Sequence, residues 1–330
     1  MTSVRTCLLP STLSIESSAA GLPASSDGVQ LRPRFVAGGD GSARYLIDFC
    51  PPTTTTLVGT VLCIQPFGDE ATLSRRVLVA GAIRLAARGW VVRLADLEGT
   101  GDSAGDDEDA SLSTWRADLD LFARGLRDDW PGQDVVLWGV RLGCALACDL
   151  FQRSAPNDYA ALLLWQPGRS AADALAPWLR LARIGARTRE SPAAGGVPAA
   201  DSAAAALPVP NRDDEDRSWL ALGGFRFQRE LIEALGALPL APPAVAGSDD
   251  GGTGTRGHRV LILGMRRDLS GGRQAGGPPE ELAALGRQWD DAGCASTCQL
   301  VAVEPFWNSL EPSTPSAAFE ATEGFLGGQR

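Results

Sequence analysis

The sequence contains a single histidine, His258, and no lysine, so all 30 of its basic residues are arginines. One histidine restricts catalysis that needs an imidazole base to whatever site His258 itself can reach. The 40 acidic residues give a net charge of −10, which disfavours nucleic acid as a partner because such binding needs clustered cations. Long apolar runs are also absent: none reaches the roughly 18 residues that a membrane span requires, and we expect no membrane span.

The N-terminus and the cysteines bear on the cellular compartment. Residues 1–20 hold one arginine and only a short, weak apolar patch, unlike a signal peptide. The seven cysteines are odd in number and lack the spacing of a secreted disulfide framework, so we expect a cytoplasmic protein. Cys144 and Cys148 lie four residues apart, as do Cys294 and Cys298, a spacing that could hold a metal on a helix face. We interpret them as core residues and expect no metal and no cofactor.

Apolar runs typical of strands alternate with helical patterns along most of the chain. Strands are predicted at 29–36, 43–49, 57–64, 90–97, 134–138, 159–165, 258–264 and 299–303. Helices are predicted at 74–88, from a Ser111 cap to about 130, from 139 to about 151, at 279–292 and near 325. This alternation predicts an α/β fold, with a mostly parallel, twisted sheet that helices cover on both faces.

Residues 139–143 read G-V-R-L-G and follow the apolar run at 134–138. They have the frame of a nucleophile elbow, G-x-S-x-G, a strand-to-helix turn so tight that small residues are needed on both sides of its centre. Gly139 and Gly143 meet this need. Arg141 stands where the serine belongs, and a guanidinium stays protonated and has no lone pair for attack. The sequence therefore predicts the α/β-hydrolase fold without its serine nucleophile.

Domain organisation follows from the segments that break the strand and helix rhythm. Residues 186–216 are rich in Ala, Pro and Asp, and 241–257 are rich in Pro, Gly and Ser, so both are predicted to be flexible. The predicted parts are a disordered N-terminal tail (1–28), a core in two pieces (29–170 and 258–330), a cap or lid inserted after the sixth core strand (171–240) and a flexible linker (241–257).

The order of the strands assigns the remaining catalytic positions by analogy with α/β hydrolases. Gln65 and Phe67, after the third strand, and Leu142, after the elbow centre, mark the oxyanion-hole region. The acid position after the seventh core strand falls on Asp268, and the base position after the eighth falls on Glu304. Neither position holds a histidine.

Three further features of the sequence bear on function. The loop 96–105 reads D-L-E-G-T-G-D-S-A-G, and its Asp102 and Ser103 are candidate ligand-binding residues, although its glycines could serve only to turn the chain. Asp69 and Glu70 could form a general-base pair, but we favour a solvated turn or partners for Arg75 and Arg76. His258 opens its strand, whereas sites on parallel sheets lie at the carboxyl ends, so we expect it about 15 to 20 Å from the elbow.

Several motifs together carry a family resemblance. They are Q-P-F at 65–67, S-R-R at 74–76, the loop at 96–105, L-W-G-V-R-L-G at 137–143, L-L-W-Q-P at 163–167, G-F-R-F at 224–227 and E-P-F-W at 304–307. This set resembles the exosortase A system-associated hydrolase 2 family, a branch of the α/β hydrolases linked to bacterial exopolysaccharide clusters. The resemblance implies that an arginine at the elbow is a family trait. Gln65 departs from the histidine that the family tends to carry there, which weighs against residual catalysis.

Two roles for Arg141 stay open. A cation at the N-terminal end of a helix opposes the helix dipole, and a carboxylate partner such as Asp268 or Glu304 would offset that cost. Alternatively, the guanidinium and the helix amides together hold an anionic ligand, with Asp102 and Ser103 as further ligand-binding residues.

Three functions follow as hypotheses. The resemblance implies a hydrolase that acts on acyl or ester groups in exopolysaccharide-related metabolism, here by a route without serine. The residues favour a catalytically inactive protein that binds an anionic ligand, such as a small-molecule or a lipid- or saccharide-linked acyl compound. The third hypothesis is a scaffold whose segment 171–240 contacts another protein of an exosortase or exopolysaccharide locus.

Overall fold

The computed structural model describes residues 28–190, 219–222, 224–242, 257–267, 278–311 and 313–328, with backbone alone for 181–190. The predicted tail up to residue 27, most of the two predicted flexible stretches and the acid-position residue Asp268 lie outside these ranges. In the part of the chain that is described, no helix is both long and apolar enough to cross a bilayer.

Ten strands and seven α-helices build the described fold. The strands are β1 Gln30–Ala37, β2 Ala43–Cys50, β3 Gly59–Ile64, β4 Trp90–Ala95, β5 Val135–Val140, β6 Ala161–Trp165, β7 Trp219–Leu222, β8 Phe225–Gln228, β9 Arg259–Arg266 and β10 Ala295–Ala302. The helices are α1 Asp69–Ala86, α2 Leu112–Asp129, α3 Gly143–Arg153, α4 Ala171–Glu190, α5 Arg229–Gly236, α6 Glu280–Asp291 and α7 Ser316–Gly327, with a 3-10 helix at Phe306–Asn308.

Eight of the strands form one sheet in the order β1-β2-β4-β3-β5-β6-β9-β10. The pairs β1–β2 and β2–β4 are antiparallel, and every other pair in this sheet is parallel. The strands β3 to β6 are buried along their whole length, as their continuous apolar runs predict. Apolar side chains pack on both faces of the sheet. The predicted α/β architecture is confirmed.

Local signals set most boundaries, and the exceptions have physical reasons. The Ser111 cap is confirmed, since its hydroxyl accepts a hydrogen bond from Thr114 N at 3.1 Å. Helix α1 begins at Asp69, five residues before the predicted start, with Asp69 and Glu70 in its first turn. Acidic residues favour that end of a helix because they complement its dipole.

The described chain between β6 and β9 comprises α4, the β7–β8 hairpin and α5, where the sequence predicts an insertion. The helical pattern of residues 228–235 agrees with α5, whereas no pattern in the sequence indicated the hairpin. Trp178 on α4 and Phe227 on β8 pack against Phe67, with ring centroids 6.4 Å and 4.5 Å from that of Phe67. The insertion therefore lies over the loop that follows β3, and its action as a cap stays a prediction.

The segment between β5 and α3 has the backbone of a nucleophile elbow. Arg141 adopts a φ of 56°, in the left-handed region that non-glycine residues rarely occupy. A methyl group on Gly139 would lie 2.6 Å from Gly143 O, and one on Gly143 would lie 2.5 Å from Gln65 O and closer still to Ile64 O. Both glycines are therefore sterically required, and the tight turn is kept around an arginine.

The elbow packing predicts opposite effects for two glycine substitutions in helices. Gly143→Ala forces backbone oxygens apart and should lower the free energy of unfolding by about 2 to 3 kcal/mol. Gly324→Ala is the matched control, because nothing lies within 4 Å of its Cβ position on the exposed face of α7. It should raise the free energy of unfolding by about 0.5 to 1 kcal/mol. Urea denaturation measures both, and equal effects would contradict the tight elbow.

Candidate functional site

The side chain of Arg141 forms a bidentate ion pair with Glu70. Its Nε donates to Oε2 and its Nη2 to Oε1, each at 3.0 Å. The two side chains are only 12% and 11% exposed. Glu70 lies in the first turn of α1, which starts after Gly68 at a φ of 57°. Two parallel N–H···O bonds between a fork and a carboxylate are the strongest geometry that such a pair can adopt.

An aromatic ring covers the same guanidinium. Its Cζ lies 5.2 Å from the ring centroid of Trp307, within the range of a cation–π interaction. Trp307 belongs to the 3-10 helix after β10, the region where the base of an α/β hydrolase is expected. The tip of the elbow is therefore closed by a carboxylate on one side and an indole ring on another.

Two expectations about this region are wrong. The partner of Arg141 is not Glu304, because Glu304 is exposed and accepts a hydrogen bond from Arg267 Nε at 2.6 Å. The interpretation of Asp69 and Glu70 as a solvated turn or as partners for Arg75 and Arg76 is wrong for Glu70, which is buried and pairs with Arg141, whereas Asp69 is exposed. Asp268 lies outside the described residues. The place of Glu70 in the first turn of the helix after the oxyanion loop could have marked it as a structural residue, but not as the partner of Arg141.

The pair also balances the charges at two helix ends. The negative charge of Glu70 stabilises the N-terminus of α1, whereas the positive charge of Arg141 is unfavourable at the N-terminus of α3. The ion pair with Glu70 offsets this unfavourable term. Burial raises the pKa of Glu70 above its ordinary 4.5, and the hydrogen bonds and charge of Arg141 act in the opposite direction. A buried carboxylate without Arg141 would therefore bear the full cost of desolvation.

Beside the elbow lies a cavity of about 510 Å³. Most of its lining is apolar and comes from the ends of β3 and β4, the first turns of α1 and α3, α2 and the β7–β8 hairpin. Phe67, Leu142 and Gly143 line it, so the predicted oxyanion-hole region faces the cavity. Neither Arg141 nor Glu70 is among the described residues that line it. The cavity thus meets the main chain of the elbow but not its central side chain.

One end of the cavity is polar and centres on Asp96. Its Oδ1 accepts hydrogen bonds from Gln65 Nε2 at 2.7 Å and from Arg75 Nη1 at 2.5 Å. Its Oδ2 accepts from Asp102 N at 3.0 Å. Gln65 therefore fixes the cavity wall through Asp96, and it also donates to Ala95 O at 3.0 Å.

The two ligand-binding candidates in the loop 96–105 have different surroundings. Ser103 is buried, and its hydroxyl donates to Asp96 O at 2.5 Å and accepts from Tyr45 N at 2.9 Å. Its hydrogen bonds therefore hold the loop on β2. Asp102 lines the cavity with an exposed side chain.

His258 and Cys144 are not among the described residues that line the cavity. His258 directly precedes β9, and its ring packs against Phe151 with centroids 5.1 Å apart. The strand register places Val140, at the elbow, level with Leu263 of β9. Leu263 lies five residues after His258, so His258 is about 16 Å from the elbow end of the sheet. Cys144 is buried, its thiol donates to Gly139 O at 3.2 Å, and burial raises its pKa far above the ordinary value.

Known proteins that resemble this chain share its architecture. The family model described as serine aminopeptidase, S33, matches residues 74–195. Est1E from Butyrivibrio proteoclasticus with bound ferulic acid superposes with a TM-score of 0.56 at 16% identity, over 90% of this chain and 98% of its own. A lipase in its open form gives a TM-score of 0.56 at 14% identity, over 91% and 100%. The chain has the α/β-hydrolase fold.

A third structure with this α/β-hydrolase fold is a hypothetical protein from Pseudomonas aeruginosa, with a TM-score of 0.53 at 12% identity, over 97% of this chain and 99% of its own. No curated protein matches the sequence. The segment that matches the S33 hydrolase model contains α1 from residue 74 onward, the loop after β4 and the elbow. The exosortase A-associated subfamily stays a prediction from the motifs.

Removing the cation of the ion pair should destabilise the protein in a pH-dependent way. Arg141→Met leaves Glu70 buried and unpaired, and the free energy of unfolding should fall by about 3 kcal/mol near neutral pH. Arg169→Met is the control, because Arg169 forms an exposed pair with Asp173 and its loss should change stability by no more than about 0.5 kcal/mol.

The pH dependence follows from the raised pKa of Glu70. The folded state holds this proton more tightly than the unfolded chain, so the resulting stabilisation is complete below pH 4.5 and is lost as the pH rises through the folded-state pKa. In Arg141→Met that pKa rises further, so the deficit against wild type should shrink as the pH falls from neutral toward 4.5. Denaturation across this range tests it, and a constant deficit would contradict a buried Glu70 charge.

Proposed function

We propose that this α/β-hydrolase-fold protein binds an acyl compound in its cavity and does not turn it over by serine-hydrolase chemistry. The observation that carries the proposal is the bidentate pair of Arg141 with Glu70 at the elbow. It puts a permanent cation, held on one edge by a carboxylate, at the position from which a hydroxyl would attack.

The surrounding residues support catalytic silence. The described part of the chain has no imidazole near the elbow, because His258 lies at the opposite end of its strand. The hydroxyl of Ser103 bonds to the backbone, and the thiol of Cys144 is buried with a raised pKa. A nucleophile needs a base within hydrogen-bond reach, and neither side chain has one in this arrangement.

The cavity supports binding. Its volume of about 510 Å³ falls within the range of about 300 to 1,000 Å³ that is usual for small-molecule sites. Aromatic and aliphatic side chains such as Phe67, Trp115 and Leu146 form most of its wall. Est1E holds ferulic acid, and another protein of the same fold is a lipase, so acyl compounds are the ligand class that these likenesses favour.

The biological setting of the proposal comes from the sequence motifs. Their resemblance to exosortase A system-associated hydrolases favours an accessory role in exopolysaccharide-related metabolism, with a lipid- or saccharide-linked acyl compound as the natural ligand. A cytoplasmic site of action and a partner protein from such a locus belong to the same proposal.

One observation favours a second function, hydrolysis of an acyl or ester group by a route without serine. The left-handed backbone of Arg141 is energetically costly for a residue with a Cβ, and such strain concentrates at functional sites. This route would need a carboxylate or a bound water as nucleophile.

Activity and labelling measurements separate the two functions. The purified protein should release no p-nitrophenol from p-nitrophenyl esters above the buffer rate, and a fluorophosphonate probe should leave its intact mass unchanged. Binding of a fluorescent acyl probe should nevertheless saturate. Turnover, or a covalent adduct on any side chain, would contradict the silent-binding proposal.

The location of binding is tested by closing the cavity. Thr72 lines it with an exposed side chain, so Thr72→Trp should narrow the entrance and weaken binding of the acyl probe about tenfold or more. Thr54→Trp places the same bulk at an exposed turn away from the cavity and should leave the affinity unchanged. Equal affinities for both variants would place the probe elsewhere on the protein.

A further inference from the structure

We propose that the cavity selects ligands with a free carboxylate and an apolar body, and that Arg75 is the residue that recognises the carboxylate. The inference rests on the proposed function, because it names the class of ligand for the same cavity. It also moves anion recognition from Arg141, where the sequence suggested it, to a different arginine.

Arg75 lies on the face of α1 that lines the cavity, together with Ala71 and Thr72. Its side chain is 32% exposed, so the guanidinium is reachable from the cavity and its mouth. Arg141 is not among the described residues that line the cavity, and its Nε and Nη2 bind both carboxylate oxygens of Glu70.

In the described part of the chain, the side-chain hydrogen bonds of Arg75 are all donated by one nitrogen of its guanidinium, Nη1. Within the described residues, Nη1 donates to Asp96 Oδ1 at 2.5 Å and to Gln65 Oε1 at 3.4 Å. The Nε–H and Nη2–H groups form the remaining edge of the fork. That edge has the spacing that binds a carboxylate through two parallel hydrogen bonds.

Asp96 holds Arg75 in place. Its carboxylate oxygens are buried and already hydrogen-bonded, so they are not exposed to the ligand. It is 1% exposed, and both of its oxygens already accept hydrogen bonds, from Gln65, Arg75 and the backbone of Asp102. A cation that is held in place before binding loses little conformational freedom when the ligand arrives. The rest of the wall is largely apolar, and water exclusion there strengthens a charge-assisted bond.

The exposed carboxylate of Asp102 limits the charge that the site accepts. It lines the same cavity as Arg75 and repels a second negative group near the mouth. A ligand with one carboxylate and an uncharged, apolar remainder fits this balance, whereas a phosphate ester or a dicarboxylate fits less well. The carboxylate of Asp102 itself has no hydrogen-bond partner among the described residues, whereas the loop is held by Asp102 N and by the Ser103 hydroxyl.

The test compares acids with their methyl esters by isothermal titration calorimetry on the full chain. Octanoate and ferulate are the probes, each against its methyl ester, so that one pair has an aliphatic body and the other an aromatic one. Each acid should bind wild type about tenfold or more tightly than its ester. Arg75→Gln should abolish that preference, while Arg76→Gln, an exposed neighbour outside the cavity lining, should keep it.

A second variant keeps the inference testable if Arg75→Gln does not fold. Asp102→Asn removes the repelling charge, and it should tighten binding of the acids about two- to threefold and leave the esters unchanged. Unchanged acid binding in Asp102→Asn contradicts the inference. So does an acid preference that persists in Arg75→Gln.

The outcomes separate this inference from the proposed function. If wild type binds acid and ester equally, and Thr72→Trp weakens both, the carboxylate inference is wrong while the acyl-binding proposal stands. If wild type binds none of the four compounds, both are wrong.

Discussion

The ion pair between Arg141 and Glu70 joins the elbow to the first turn of α1, and the chemistry of the site depends on it. It gives the buried carboxylate a partner and offsets the cost of a cation at the start of α3. Trp307 completes the enclosure from the segment after β10. The centre of the elbow and the segment after β10 thus contribute packed side chains that contact one another.

The ion pair separates two parts that α/β hydrolases usually combine. The cavity still reaches the main chain at Phe67, Leu142 and Gly143, while the central side chain of the elbow points into the pair instead. In the proposed function, the cavity is the binding site and the ion pair closes the tip of the elbow beside it. The polar end of the cavity is formed by Arg75 from α1 and Asp96 from the end of β4, which are hydrogen-bonded to each other.

The sequence predicted the features that depend on local chain geometry. The elbow glycines, the buried parallel strands and the Ser111 cap are readable because each depends on neighbours within a few residues. The partner of Arg141 was not readable, because Glu70 lies 71 positions earlier and meets it only once α1 packs beside β5. The contact between Arg75 and Asp96, which are 21 positions apart, was not readable for the same reason. The hairpin β7–β8 was not predicted because its four-residue strands carry little periodicity.

The central claim is that Arg141 and Glu70 stabilise the fold as a pair. The direct measurement is a double-mutant cycle of unfolding free energies for wild type, Arg141→Met, Glu70→Gln and the double variant near neutral pH. The account predicts a coupling free energy of about 2 kcal/mol or more, with the double variant less destabilised than the sum of the two single changes. A coupling of zero would mean that the two side chains act independently, and it would contradict the closed elbow described here.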